Sequence, residues 1–322
     1  MPDQPTSDPT KPAEPRVSFS ELIFQEGFKD KEARDFPASL GVEVTNHCNL
    51  RCPMCPREIA DRGFGNMDLE LYKKIADQAA GRRIVFLPQG FGESFIHPKF
   101  GEMLHYATSH GVLATMVVTN ATYLNDKNVH ALIDAQVPLV NVSLDGMNKA
   151  VYEAIRVNAE FEKVVENVHR LFRLRKERGS TLPHIILRMI RSQDTEPFVE
   201  DFKSYWTPYL IEGDEILFST YQTWSNTVEN KRVGAAEGLR QVEHLEKKPP
   251  CRMIYKTMQV YYDGRSTPCC YDYDCTMEIG NAKTESITAI WTGEKARHFR
   301  RLHEEGRADE IPICRNCQEY IP

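Results

Sequence analysis

Between about residue 40 and residue 220, short runs rich in β-branched and aromatic residues alternate with longer stretches of helical period, and that alternation leaves few folds open. Strands are expected at Gly41 to Thr45, Ile84 to Leu87, Ala114 to Val118, Leu139 to Leu144, His184 to Ile190 and Glu215 to Ser219. Between them, Leu71, Ile75 and Ala79 share one helical face, as do Phe100, Met103, Leu104 and Ala107. Asn125 can cap a helix carrying Val129, Leu132 and Ile133, and another carries Phe198, Phe202 and Tyr205. The longest helix is expected from about Glu160 to Gly179, with glycine as its stop. Six βα units are too few for the closed eight-stranded barrel but can curve into a partial one. The expected class is therefore α/β, a partial (βα)6 TIM-like barrel whose chemistry sits on the loops at the C-terminal ends of its strands.

Outside this array the composition changes. Residues 1 to 16 hold five prolines among polar residues and read as a disordered tail before a core over 17 to 224. Residues 225 to 250 are polar, end in Lys247, Lys248, Pro249 and Pro250, and read as a connector. Residues 251 to 322 are expected to form a small α+β extension. Within it, Met258 to Tyr262, the Asp263-Gly264 turn and Arg265 to Pro268 suggest a hairpin, followed by a helix from Ser286 through Ile287, Ile290 and Trp291. The extension is too small and too rich in cysteine to rely on a core of its own, so metal is expected to hold it.

A net charge of -6 gives no electrostatic footprint for nucleic acid or an anionic membrane. No apolar run reaches the roughly 18 residues of a membrane span, and the N-terminus lacks the pattern of a secretory signal. A cytosolic protein acting on a small molecule is expected, with neither membrane nor nucleic acid as partner. Nine cysteines in such a chain point to metal or redox chemistry rather than disulfides.

Three of them, Cys48, Cys52 and Cys55, lie directly after the first expected strand. Three thiolates on one short loop can each take one iron of a cubane and leave the fourth iron open to chelate the amino and carboxylate groups of a small molecule. A zinc knuckle is the alternative, although a structural zinc wants its fourth position filled. Of the six cysteines beyond residue 250, Cys251, Cys269, Cys314 and Cys317 can ligate a second centre, with Gly264 turning the hairpin between the first two. Zinc would be satisfied there equally well. Cys270 competes with its neighbour Cys269 for the ligand role, and Cys269 is preferred for its spacing from Gly264.

The Cys48-x3-Cys52-x2-Cys55 loop, placed after strand one of a βα array, resembles that of the radical SAM superfamily over about residues 40 to 220. The resemblance implies a 4Fe-4S cluster that cleaves S-adenosylmethionine (SAM) to a 5′-deoxyadenosyl radical, fed by a reductant such as flavodoxin or ferredoxin. Gln89-Gly90-Phe91-Gly92-Glu93-Ser94 resembles the family's motif for the methionine amino group, with Phe91 in place of a usual glycine and Ser94 of a usual proline. Gly92 and Glu93 would keep the gripping role. Met54 stands where an aromatic residue often packs on adenine, and Ser143 and Asp145 resemble the segment near ribose and carboxylate. Arg156 is the expected carboxylate partner, with a solvated helix charge as the alternative, and Thr119 and Asn120 resemble a further cleft motif.

The C-terminal segment resembles the SPASM and twitch modules, and one auxiliary 4Fe-4S cluster of the twitch type is implied. The whole pattern resembles that of twitch-type dehydrogenases that oxidise a secondary alcohol of an aminocyclitol. Oxidation of a sugar, aminocyclitol or similarly small polar metabolite is thus the expected activity. Epimerisation is the rival, with Cys275 or the unligated one of Cys269 and Cys270 returning a hydrogen atom. Further alternatives are maturation of a ribosomal peptide and a non-catalytic iron-sulfur or zinc scaffold.

Overall fold

The computed structural model describes residues 35–220, 224–225, 250–315 and 317, so the expected tail and nearly all of the expected connector lie outside the described residues. Six strands form the array: β1 (Ser39–Val42), β2 (Val85–Leu87), β3 (Ala114–Thr119), β4 (Leu139–Ser143), β5 (His184–Arg191) and β6 (Glu215–Thr220). All five pairings among them are parallel and run in chain order, the arrangement of an open (βα)6 barrel.

The helices between them are α1 (Leu69–Ala79), α2 (Phe100–Ser109), α3 (Asp126–Asp134), α4 (Lys149–Ile155), α5 (Phe161–Glu177) and α6 (Val199–Trp206). Each expected apolar face of α1, α2 and α3 is buried, and Asn125 caps α3 by accepting from the Asn128 N–H. In α5 the backbone N–H groups of Gly179 and Ser180 turn back onto the carbonyls of Lys176 and Arg175 and close the last turn. In α6 the inward residues are Phe202 and Trp206, while Tyr205 stays exposed.

The C-terminal part continues through α7 (Met253–Lys256), β7 (Thr257–Val260), β8 (Arg265–Thr267), β9 (Gly280–Asn281), α8 (Ile287–Trp291), α9 (Glu294–Glu304) and α10 (Pro312–Arg315). The hairpin turns where expected: β7 and β8 pair antiparallel around Gly264, whose φ of +88° suits a residue without a Cβ. Its surroundings differ from the expectation. β7 pairs parallel with β1, Ser39 to Thr257 through Val42 to Val260, so the extension adds three strands to the barrel sheet. Met258, Val260, Ile287, Ile290 and Trp291 enter the main core, and a small satellite around Ile254, Met277, Leu302 and Ile311 packs beyond it. Apolar burial therefore shares with metal the task of holding this segment, and β1 is left with no bare edge.

The parallel register stacks side chains in rows across the lumen. Ser143 lies opposite Arg188, and Arg188 opposite Leu217. Below that row Met116, Leu139 and Ile186 form an apolar floor. The polar groups accordingly gather at the C-terminal ends of the strands. Among the described residues no helix is long and apolar enough to cross a membrane.

Candidate active site

The loop that follows β1 is tied to itself before it reaches the cysteines. Thr45 bridges to Asn66, and Asn46 accepts from the Gly65 N–H and donates to the Gly63 carbonyl. Arg57 is buried and donates to the Leu50 carbonyl at 2.8 Å, bracing the turn on which Cys52 and Cys55 sit. Cys48, Cys52 and Cys55 all line one cavity of about 240 Å³. Burial pushes the Cys48 thiol up to about 11 and raises that of Cys55 as well. Backbone N–H groups and nearby arginines favour the thiolates but do not overcome burial, so a bound cation is what would complete the stabilisation.

N–H groups already point at two of the sulfurs. Asn120 Nδ2 lies 3.8 Å from Cys48 Sγ, and Arg156 Nη1 lies 3.8 Å from Cys52 Sγ. Such contacts tune the potential of a sulfur-ligated centre. Among the described residues no three His, Cys, Asp or Glu side chains converge on a point where one ion would sit. The thiols instead line the wall of a cavity, as the ligands of a multi-iron cluster would. The donor set fits a cubane.

Opposite the cysteines is the loop after β2. A Cβ on Gly92 would stand 2.4 Å from the Thr45 carbonyl oxygen and 2.7 Å from that of His47, so only glycine lets this loop lie against the cysteine loop. The Glu93 N–H donates to the His47 carbonyl, which turns its side chain inward. Buried there, Glu93 accepts from Thr119 Oγ1 at 2.9 Å and from the Asn120 N–H at 2.8 Å. Burial nevertheless pushes its carboxyl up to about 7, against the pull of those hydrogen bonds and of Arg156.

Arg156, at the C-terminus of α4, is no solvated charge: its Nε donates to Asp145 Oδ2 at 2.7 Å, and Asp145 Oδ1 accepts from the Ile190 N–H. Met54, Gly92, Glu93, Asn120, Ser143, Asp145 and Arg156, gathered from the C-terminal ends of β1 to β4 with the loops that follow and from the end of α4, all line the cysteine cavity.

A buried ion pair absent from the motif reading holds the two loops in place. Arg62 donates to both carboxylate oxygens of Glu43, at 2.7 and 3.0 Å, and lies 3.9 Å over the Tyr261 ring. Glu43 also accepts from the Phe91 N–H. Removing one member of such a pair costs about 3–5 kcal/mol because the other charge stays buried. A charged residue closing an apolar strand run was the available signal.

Cys251, Cys269, Cys314 and Cys317 line a second, smaller cavity of about 20 Å³. The Cys269 thiol is held well above its ordinary value by burial and then by Cys270 and Cys314 nearby. Neither Cys270 nor Cys275 lines either cavity. Cys275 is buried on the loop that Asp272 organises by accepting from Thr267, Thr276 and Met277, and its thiol is pushed up by burial and by Asp272. We therefore expect Cys269→Ser to lose about four irons per chain and Cys270→Ser to lose none, read by iron analysis after anaerobic reconstitution. Loss of iron in both would show that the pair shares the ligand role.

Two aromatic rings separate the cavities. Trp224 lines the first, donates from Nε1 to the Met54 carbonyl at 2.7 Å and packs on Phe91. Tyr271 lines the second, and its ring centroid lies 5.7 Å from that of Trp224.

Residues 42–201 match the family model of the radical SAM superfamily, and residues 251–318 match that of the SPASM iron-sulfur cluster-binding domain. The chain is 24% identical to a tungsten-containing aldehyde ferredoxin oxidoreductase cofactor-modifying protein of Pyrococcus furiosus, over 86% of each chain. It is 22% identical to an S-adenosyl-L-methionine-dependent 2-deoxy-scyllo-inosamine dehydrogenase of Niallia circulans, over 86% of this chain and 90% of the other. The crystal structure of Streptococcus suis SuiB bound to precursor peptide SuiA shares the fold, with a TM-score of 0.66 at 13% identity over 89% of this chain and 72% of that one.

Proposed function

The chain belongs to the radical SAM superfamily and carries a C-terminal SPASM iron-sulfur cluster-binding domain, and from that premise we propose that it oxidises a secondary alcohol of a small polar metabolite, such as a sugar or an aminocyclitol. In this reading Cys48, Cys52 and Cys55 hold the 4Fe-4S cluster that binds SAM, and Cys251, Cys269, Cys314 and Cys317 hold an auxiliary one. When bound, these groups supply a deoxyadenosyl radical that takes the carbinol hydrogen and a sink for the electron that leaves the substrate as its hydroxyl proton departs.

The residues supply grip, aim and dryness. Glu93, held by Thr119 and Asn120, presents carboxylate oxygens to the amino group of SAM. Arg156, fixed by Asp145, keeps one guanidinium nitrogen toward Cys52 and orients the carboxylate end. Ser143 lines the wall beside them, Met54 offers a soft apolar face for adenine, and Trp224 covers the cavity on the side of the second centre. An external one-electron donor such as flavodoxin or ferredoxin, in a cytosolic setting, completes the reading.

The observation that carries oxidation is the shared wall: Trp224 of the first cavity touches Tyr271 of the second, so an electron leaving the substrate has a cysteine-lined acceptor site beside it. Epimerisation needs a thiol facing the substrate, and neither Cys270 nor Cys275 lines that cavity. Similarity over most of its length to a SAM-dependent dehydrogenase of an aminocyclitol supports the same choice. The test is incubation with carbinol-deuterated sugars and aminocyclitols. Deuterium should appear in 5′-deoxyadenosine together with a ketone product. Transfer into deoxyadenosine with only an inverted alcohol recovered would refute the oxidation.

A further inference from the structure

Four arginines line the active-site cavity, and three are already engaged. Arg156 is paired with Asp145, Arg57 with Glu58 and the Leu50 carbonyl, and Arg51 lies near Glu58 at the exposed rim. Arg188 is different. It projects from β5 in the row of Ser143, and its Nε donates to Ser219 Oγ on β6 at 2.9 Å. Among the described residues no carboxylate lies within ion-pair distance of its guanidinium, and the side chain lines the cavity. Burial works against its charge, Asp145 offsets part of that from beyond ion-pair distance, and Arg156 adds repulsion. A guanidinium does not shed its proton, so the fold sustains a largely buried cation with no paired acid among the described residues.

Its position says which side that counter-ion comes from. The titratable neighbours of Arg188 are Asp145, Arg156 and Tyr271, whereas Arg156 also stands against Cys52. Arg188 thus sits one strand farther from the cluster loop and toward the Trp224 and Tyr271 wall, away from where an amino acid chelated to an open iron would lie. A hydroxyl would leave the charge uncompensated. A planar guanidinium fork matches a pair of anionic oxygens.

We infer that the substrate of this enzyme carries an acidic group, a carboxylate or a phosphate, and that Arg188 receives it while Ser219 holds the fork in place. This rests on the reading of the cavity as the substrate site, and it narrows the polar metabolite to an acidic one, such as a sugar or cyclitol phosphate or a sugar acid.

The test uses inorganic phosphate as probe on the anaerobically reconstituted enzyme loaded with S-adenosylhomocysteine, which has no sulfonium to cleave, following broadening of the phosphorus resonance by the reduced, paramagnetic cluster. The wild type should broaden it saturably, Arg188→Met should weaken the apparent affinity by about tenfold or more, and Arg188→Lys should recover part of it. Lysine keeps the charge and fills similar space, so recovery also shows that the site remains folded. Absence of saturable broadening in the wild type, or equal broadening in Arg188→Met, overturns the inference. So does displacement of S-adenosylhomocysteine by phosphate, or a tenfold loss of SAM affinity in Arg188→Met, since either would assign the fork to the SAM carboxylate. The titration involves no turnover, so a panel of alcohols that proves unreactive would sink the oxidation reading without touching this one.

Discussion

Alanine in place of Cys48, Cys52 or Cys55 is expected to abolish SAM cleavage, with about four of about eight irons lost per chain. The reason is in the state of the thiols without metal. Burial holds Cys48 at about 11 and raises Cys55, so two remaining thiols would have to ionise in an apolar setting to keep a cluster that has lost a corner. The loop has no substitute ligand to offer: His47 lies beside Phe64, and the Asn49 amide is hydrogen-bonded to Thr122. Iron analysis and chromatography of 5′-deoxyadenosine after dithionite reduction check it. Cleavage at even a hundredth of the wild-type rate in all three variants would mean that the cluster is held elsewhere.

Glu93→Gln should keep its iron and yet bind SAM at least about tenfold more weakly, because an amide cannot present two anionic oxygens to an amino group. The effect carries a pH signature whose sign follows from burial. With the carboxyl pushed up to about 7, Glu93 is mostly protonated at pH 6 and mostly ionised at pH 8 in the SAM-free protein. SAM affinity of the wild type should therefore rise with pH across that window, by up to about tenfold, while that of Glu93→Gln stays flat. Equilibrium dialysis at pH 6, 7 and 8 measures both. A slope shared by the two proteins would assign the titration to another group.

The strands were legible because parallel strands buried on both faces read as apolar runs, and each expected run from Ile84 onward overlaps its strand closely. α9 was not, since Arg300 and His303 sit on its buried face, where Arg300 donates to the carbonyls of Ile254 and Trp291. Polar residues that find partners inside the fold erase the apolar stripe by which a helix is recognised. The pairing of β1 with β7 joins segments more than two hundred residues apart and leaves no local trace.

The site divides the same way. Cysteine spacing and the Gly92-Glu93 pair are local patterns and were readable. Spacing from Gly264 favoured Cys269 over Cys270, and Cys269 is the one of the two that lines the cavity. Glu43, Arg62 and Arg188 belong to no motif, yet Arg188 interrupts the apolar run of Ile185, Ile186, Leu187 and Met189. A charge set in the middle of an interior strand is a feature that calls for a partner, and it was there to be seen.

The graft of β7 onto β1 bears on how such enzymes can be rebuilt. The strand that launches the SAM-site loop is the same one that seats the C-terminal segment, and Asp274 clamps the N–H groups of Asp61 and Arg62 from the far side. A tail borrowed from another protein would have to reproduce the Ser39-to-Thr257 register, the Tyr261 face under Arg62 and the Asp274 clamp before its own cysteines mattered. Exchange of redox cassettes between relatives is thus limited by a strand seam rather than by cluster chemistry.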